Sequence, residues 1–128
     1  MEEILTFLNN AGVYFIATVG QDGKPHNRPF GSRAIVDGKF YIFMGFPKPV
    51  YEQVLANPYV ELVAMGKERE WIRISAKTIQ ESDLTMRRRI LESAGCEKLF
   101  KPEDEMAFEL TEVTAHIYNG QDVRTITW

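Results

Sequence analysis

Tight-turn signals between short apolar runs constrain the fold of this chain more than any other feature of its sequence. Asp37-Gly38 and Asn119-Gly120 each separate two apolar runs, and such dipeptides are the strongest short-range signal for a hairpin of antiparallel strands. Gly20-Gln21-Asp22-Gly23 supplies a further turn. Because no strand–helix–strand repeat is present, six or seven antiparallel strands in a closed or nearly closed barrel are expected rather than a parallel sheet.

The predicted strands differ in how they are expected to be covered. Val13 to Val19 is almost continuously apolar and rich in β-branched and aromatic residues, which predicts a core strand covered on both faces. Pro25 to Val36 is predicted as one strand. Pro29 has no N–H group to donate to a neighbouring strand, so it suggests a sheet edge, a bulge or a place kept open. Phe40 to Met44 is the return strand of the hairpin, and Val60 to Met65 is a further strand.

Three short helices are expected between the strands. The spacing of apolar residues and the capping residues predict them over Glu2 to Ala11, from near Lys48 to Asn57, and from a cap at Ser82 or Asp83 to about Ala94. Cys96 to Glu105 is predicted to be a loop, followed by a long strand from Met106 to Tyr118. With no linker and no repeat, residues 1–128 are expected to form a single, mainly β domain.

Length, charge and cysteine content narrow the class of protein. A chain of 128 residues can bury a sufficient core without disulfides or metal, and its single cysteine, Cys96, cannot form an internal bridge. No apolar run resembles a signal peptide or a membrane span, so a cytoplasmic protein with no membrane partner is expected. A net charge of -3 argues against a general nucleic-acid binder.

The stretch from Asn27 to Pro58 combines cations with a helix start. Arg28 and Arg33 lie on a predicted strand, and Lys48 lies at the beginning of a predicted helix. A helix N-terminus carries unpaired backbone N–H groups and a partial positive charge, so such a combination suits a phosphate group. The alternative is that these three side chains are solvated surface cations, which is their more common role.

Metal and nucleophilic chemistry have little support in the sequence. His26, His116 and Cys96 lie far apart, and none has a second ligand at the short spacing typical of a metal site. No recognisable base flanks Cys96, and no phosphate-binding glycine motif is present. If the protein is an enzyme, a cofactor is expected to supply the chemistry while the protein binds and orients it.

The segment from Trp71 to Lys77 shows the most regular alternation in the chain. Ile72, Ile74 and Ala76 are predicted to face the core, and the residues between them to face outward. The outward row of aromatic, cationic and small polar residues fits an amphipathic surface, and it also fits the wall of a site for a polar ring system.

Five segments together resemble the pyridoxamine 5′-phosphate oxidase-like family of flavin-binding split β-barrels. They are an N-terminal helix, N-R-P-F-G-S-R, F-Y-I-F-M-G, the helix-to-strand passage K-P-V-Y-E-Q-V-L-A-N-P-Y-V-E-L, and W-I-R-I-S-A-K. The resemblance covers nearly the full length. It implies a six-stranded antiparallel split β-barrel of Greek-key type with flanking short helices, a homodimer, and FMN in clefts between the two subunits.

The resemblance also implies a set of cofactor-binding residues. The strand from Arg28 to Arg33 would run beside the isoalloxazine ring, with the backbone around Phe30 to Ser32 at the polar edge of the ring. Arg33 and Lys48 would contact the FMN phosphate. Trp71 and Arg73, on the strand with the regular alternation, would reach the cofactor of the partner subunit. The full set is Arg28, Pro29, Phe30, Gly31, Ser32, Arg33, Phe43, Met44, Lys48, Tyr51, Trp71 and Arg73.

Two departures from the family pattern argue against oxidation of vitamin B6. The chain lacks a recognisable C-terminal substrate motif, for which Arg124 and Trp128 are only loose counterparts, and it has Lys48-Pro49 where the oxidases have a basic pair. Smaller relatives include nitroimidazole reductase-like and flavin reductase-like proteins and members that use haem or a deazaflavin. We therefore predict an FMN-dependent oxidoreductase acting on a small organic acceptor, with a non-enzymatic flavin or haem carrier or sensor as the alternative.

Overall fold

The computed structural model describes residues 1–128 and contains eight strands and three α-helices. The helices are α1 (Glu2–Ala11), α2 (Pro49–Ala56) and α3 (Leu84–Ser93), and a 3₁₀ turn covers Pro102–Asp104. The strands are β1 (Tyr14–Val19), β2 (Pro25–Phe30), β3 (Ala34–Val36), β4 (Lys39–Gly45), β5 (Tyr59–Met65), β6 (Glu70–Glu81), β7 (Glu105–Asn119) and β8 (Asp122–Thr127). None of the helices has the length and apolar composition needed to cross a membrane.

All eight strands belong to one antiparallel sheet with the order β2-β1-β5-β6-β7-β4-β3, and β8 also pairs with β7. The long strand β7 pairs along one side with β6. Along its other side it pairs first with β4 and then, in its second half, with β8. Since the edge strands β2 and β3 are consecutive in the chain, the two ends of the sheet are brought together and the molecule is the expected mainly β split barrel.

The structure has one strand more than the upper count of seven that was expected, because Pro25–Val36, which was predicted as one strand, is divided. Gly31, Ser32 and Arg33 leave the ladder, so that β2 pairs with β1 and β3 pairs with β4. The prediction of a single strand was therefore wrong. The division places three residues of irregular backbone where the two sheet edges meet.

The barrel interior is filled by a single large cluster of buried side chains from most of the strands and from α1 and α2. On β6, Ile72, Ile74 and Ala76 belong to this cluster, as the alternation predicts. Helix α3 covers a second, smaller cluster on the outside of β3, β4 and the start of β7. Asp83 caps this helix by accepting a hydrogen bond from the Met86 N–H group at 3.0 Å.

The outside of β1, of β5, of the first half of β6 and of the second half of β7 has no helix over it. Phe15 on β1 is 48% exposed, and Met65 at the end of β5 is 62% exposed. The expectation that Val13 to Val19 is covered on both faces is therefore wrong for this single chain, in which only Tyr14, Ile16 and Thr18 are buried.

Candidate functional site

A cavity of about 320 Å³ lies where the irregular segment Gly31–Arg33 passes the end of β4. Its walls come from the end of β2, the end of β4, the start of β7 and the connection that follows α3. The lining residues are Pro29, Phe30, Gly31, Ser32, Phe43, Met44, Gly45, Lys48, Cys96, Phe100 and Glu105. Phe43 and Phe100 make an edge-to-face contact with ring centroids 6.0 Å apart, which gives the cavity an aromatic wall.

Ser32 fixes the irregular segment against both neighbouring strands. Its hydroxyl group donates to the Phe43 carbonyl oxygen at 2.6 Å and accepts from the Phe43 N–H group at 3.0 Å. The Tyr14 hydroxyl group donates to the Ser32 carbonyl oxygen at 2.6 Å. Burial raises the pKa of Tyr14, so this phenol stays protonated and remains a donor. The segment is thus held in place by side-chain bonds where a backbone ladder is absent.

Lys48 lies directly before α2 and is exposed. Its stem packs over Gly45, where a Cβ atom would come within 2.9 Å of the Lys48 Cε atom, so the glycine makes room for the lysine beside the cavity. The helix start itself offers fewer donors than expected. Pro49 has no N–H group, and the Tyr51 N–H group donates to the Lys48 carbonyl oxygen at 3.0 Å.

The two arginines of the predicted set point away from Lys48, in different directions. Arg28 donates to Thr18 Oγ1 at 2.8 Å and to Gln53 Oε1 at 2.7 Å, and desolvation lowers its pKa. Arg33 donates to Asn9 Oδ1 at 2.7 Å and to two backbone carbonyl oxygens, which ties the irregular segment to α1. The three cations are therefore not gathered at one helix start, and none of them forms an ion pair with a carboxylate.

Tyr51 also lies apart from the cavity. Its ring belongs to the interior cluster, with centroids 5.2 Å from Phe46 and 6.1 Å from Phe108. Its hydroxyl group accepts a hydrogen bond from Gln80 Nε2 at 3.2 Å. In this chain Tyr51 therefore supports α2 from inside the barrel, and the lining of the cavity does not include it.

Trp71 and Arg73 lie on the uncovered outer face of the sheet. The Trp71 ring stacks on Tyr118 with centroids 4.1 Å apart and an interplanar angle of 10°. Arg73 Cζ lies 5.2 Å from the Trp71 ring, and its Nε atom lies 3.2 Å from Glu61 Oε1. Neither residue lines the cavity within one chain, so a contact with a ligand there requires a second subunit.

Four residues that line the cavity were missing from the predicted set. Gly45 and Glu105 face each other across the β4–β7 ladder, while Cys96 and Phe100 come from the connection after α3. Glu105 was assigned to a loop, although its spacing from Ala107 and Glu109 would have placed it on the outer face of an extended strand. Burial raises the pKa of both the Glu105 carboxyl and the Cys96 thiol.

Several solved structures are similar to this chain over nearly its whole length. A NimC/NimA family protein from Clostridium acetobutylicum is 26% identical, with a TM-score of 0.86, covering 98% of this chain and 93% of that one. A protein related to general stress protein 26, of the pyridoxinephosphate oxidase family and from the same organism, is 17% identical, with a TM-score of 0.75 and coverages of 98% and 92%.

A haem-binding protein from Mycobacterium smegmatis has the same fold at 15% identity and a TM-score of 0.70, covering 98% of this chain and 57% of that one. No curated protein sequence is significantly similar to the chain. The sequence model described as pyridoxamine 5′-phosphate oxidase matches residues 1–118. Together with the split barrel, this match shows that the chain belongs to the pyridoxamine 5′-phosphate oxidase-like family.

Proposed function

We propose that this protein binds FMN as a homodimer and passes electrons from the reduced flavin to a small organic acceptor. The observation that carries the proposal is the cavity beside Gly31–Arg33, which combines an aromatic wall with the ammonium group of Lys48, a cation that forms no ion pair. An apolar ring system that bears a phosphate needs this combination of surfaces. A cytoplasmic location is part of the proposal, because the lone Cys96 thiol needs no oxidising compartment.

In this proposal Lys48 holds the phosphate, and the backbone of Phe30–Ser32 meets the polar edge of the flavin ring. Arg28 and Arg33 do not contact the phosphate in this proposal. Arg28 holds β2 against β1 and α2, and Arg33 holds the irregular segment against α1. Bound FMN would supply the hydride or electron transfer, for which the protein residues provide binding, orientation and exclusion of water.

The cavity of a single chain supports the homodimer part of the proposal. Its volume of about 320 Å³ is near the lower end of the roughly 300–1,000 Å³ common for ligand sites, and it opens to solvent. A larger ligand would therefore need a second wall. The uncovered face that carries Trp71 and Arg73 is the surface that we expect a partner subunit to bring to it.

Binding of FMN and riboflavin to Lys48→Ala tests the position of the phosphate site. Removing a charge-assisted contact to the phosphate should weaken FMN binding by about 1.5–3 kcal/mol and leave riboflavin binding nearly unchanged. Lys39→Ala is the matched control, because Lys39 pairs with Glu109 at 3.7 Å and does not line the cavity. Equal losses for the two ligands in Lys48→Ala would contradict the phosphate site.

The absorption spectrum of the freshly purified protein tests the cofactor itself, since flavin, deazaflavin and haem absorb at different wavelengths. A haem spectrum would replace the FMN proposal with the carrier or sensor alternative, to which the fold of the haem-binding protein lends support. A flavin spectrum is the expected result.

Reoxidation kinetics separate an enzyme from a passive flavin carrier. We expect the reduced protein to react with small quinones or nitroaromatic compounds faster than free FMN does, because the site orients the acceptor on the flavin face. Trp71→Ala should change the preference among acceptors while most of the FMN affinity remains. Stopped-flow rates equal to those of free flavin, for every acceptor and in both proteins, would favour the carrier.

A further inference from the structure

Glu105 is the only charged residue among the buried side chains of the chain. It is 8% exposed, begins β7 opposite Gly45, and lines the cavity that also contains Lys48. Its carboxylate takes part in none of the six ion pairs of the molecule. A buried carboxylate without a partner is costly, so such a group either acquires a partner or becomes neutral.

The titratable and charged groups near Glu105 come from several elements. Lys48 precedes α2, Asp104 belongs to the 3₁₀ turn, and Cys96 follows α3. Arg87 of α3 donates to the backbone carbonyl oxygen of Glu105 at 3.4 Å and not to its carboxylate. Burial raises the pKa of Glu105, Lys48 lowers it, and Asp104 raises it.

A phosphate group beside Lys48 would place new negative charge in the same small cavity as Glu105. Two anions that share one cavity disfavour each other's charged form, and the carboxyl group, whose pKa burial already raises, then takes up a proton from solvent. Once protonated, it is a hydrogen-bond donor, and a phosphate oxygen is a strong acceptor. The same carboxyl group has no comparable effect on a ligand that lacks the phosphate.

We infer that Glu105 determines the specificity of this cavity: it takes up a proton when a phosphate binds beside Lys48 and donates a hydrogen bond to that phosphate. The site therefore favours phosphorylated over non-phosphorylated ligands most strongly at low pH. This inference rests on the proposed phosphate site and assigns to it a residue that the sequence did not reveal.

Calorimetric titration of the full chain with FMN and with riboflavin tests the inference. Measurements in two buffers of different ionisation enthalpy, at about pH 6 and pH 8, give the number of protons taken up. The wild-type protein should take up protons when it binds FMN near pH 8, up to one per FMN, and riboflavin should cause almost no uptake. The second ionisation of the FMN phosphate, with a pKa of about 6, contributes little at that pH.

Glu105→Gln keeps the shape of the side chain and a permanent donor, while it cannot titrate. We expect this variant to lose the proton uptake and to bind FMN about tenfold more tightly than wild type near pH 8, with the difference shrinking near pH 6. Glu109→Gln, on the same strand and outside the cavity, should behave like wild type.

An absence of FMN-linked proton uptake in the wild-type protein would overturn the inference without reference to any variant. Equal uptake in wild type and Glu105→Gln would overturn it as well. These results differ from failure of the proposed function, which would appear as equal affinity for FMN and riboflavin at both pH values and no effect of Lys48→Ala.

Discussion

Ser32 connects the two edges of the sheet with a single side chain. Its hydroxyl group both donates to and accepts from the backbone of Phe43, which is the pattern that a neighbouring strand would otherwise provide. Ser32 is 9% exposed, so water cannot replace these bonds at little cost. The residue therefore supports the fold and, through the segment it fixes, the wall of the cavity.

Ser32→Ala should lower the free energy of unfolding by about 1–3 kcal/mol, because it leaves the Phe43 N–H group buried without an acceptor. Denaturant unfolding followed by fluorescence measures the change. Ser93→Ala is the control, since the Ser93 hydroxyl group makes only an exposed 3.2 Å bond to the Ile35 carbonyl oxygen and its loss should stay within about 0.5 kcal/mol. A loss at Ser32 no larger than at Ser93 would contradict the role given to Ser32.

For individual residues, the sequence predicted which residue types surround the cavity better than it predicted where their side chains point. The motif from Arg28 to Arg33 was expected to present its cations to one phosphate, whereas the side chains of Arg28 and Arg33 diverge towards α2 and α1. These directions depend on partners such as Gln53 and Asn9, which lie far away in the sequence. Glu105 was missed for the same reason, because only the packing of α3 and the 3₁₀ turn makes its environment buried.

Helix α3 covers the outside of β3, β4 and the start of β7, and it is attached to the β3–β4 turn by an ion pair. Arg89 donates to both carboxylate oxygens of Asp37, at 2.8 and 2.7 Å. Hydrogen bonding to Arg89 lowers the pKa of Asp37 and raises that of Arg89. Both side chains are about half exposed, so the pair guides the position of α3 more than it adds stability.

The lowered pKa of Asp37 predicts a dependence of stability on pH. A carboxylate whose pKa is lowered by folding stabilises the folded state above its unfolded pKa of about 4, and this contribution is lost as the pH falls through the folded pKa. Asp37→Asn should therefore lower the Tm at neutral pH and have no effect in strong acid. The asparagine also tolerates the positive φ of 52° at this position.

Thermal denaturation of wild type and Asp37→Asn between about pH 2 and pH 7 checks this expectation. Asp122→Asn is a suitable control, because Asp122 is exposed and forms no ion pair. A Tm difference that persists unchanged at the lowest pH would show that the substitution acts through the turn rather than through Arg89.

Most elements of this fold could be predicted from the sequence, because their signals are local. The hairpin at Asn119-Gly120, the three helices and the alternation on β6 all follow from turn residues, caps and periodicity. The break between β2 and β3 could not be predicted, since nothing in the pattern around Gly31 reports that Ser32 finds a partner on β4. The 3₁₀ turn at Pro102–Asp104 was included in a loop.

The whole molecule presents an apolar face without a covering element. Phe15, Met65 and Val123 are each about half exposed or more, and the stacked pair Trp71 and Tyr118 lies among them. Exposed apolar and aromatic side chains that lie together on one face are typical of a surface that binds another protein. In the homodimer that we propose, this face belongs to the interface and brings Trp71 to the partner's cavity.

Met65→Glu should shift the protein from dimer to monomer, because it places a charge among the exposed apolar side chains of this face. Sedimentation at micromolar concentration measures the shift, and FMN binding should weaken with it. Leu55→Glu is the matched control, since Leu55 is 48% exposed on α2 and belongs neither to this face nor to the lining of the cavity. A wild-type protein that is monomeric and still binds FMN would contradict the two-subunit site.

The hydrogen bonds between Ser32 and Phe43 also affect how fast the Phe43 amide proton exchanges with solvent. Because the Phe43 amide proton is held by a hydroxyl group and not by a strand, it can exchange with solvent when one side chain rotates, without any separation of strands. Neighbouring amides in the β4–β7 ladder exchange only when that ladder opens. The rate of exchange at this one amide thus reports how often the cavity wall relaxes, and a ligand resting on Gly31–Arg33 would slow it selectively.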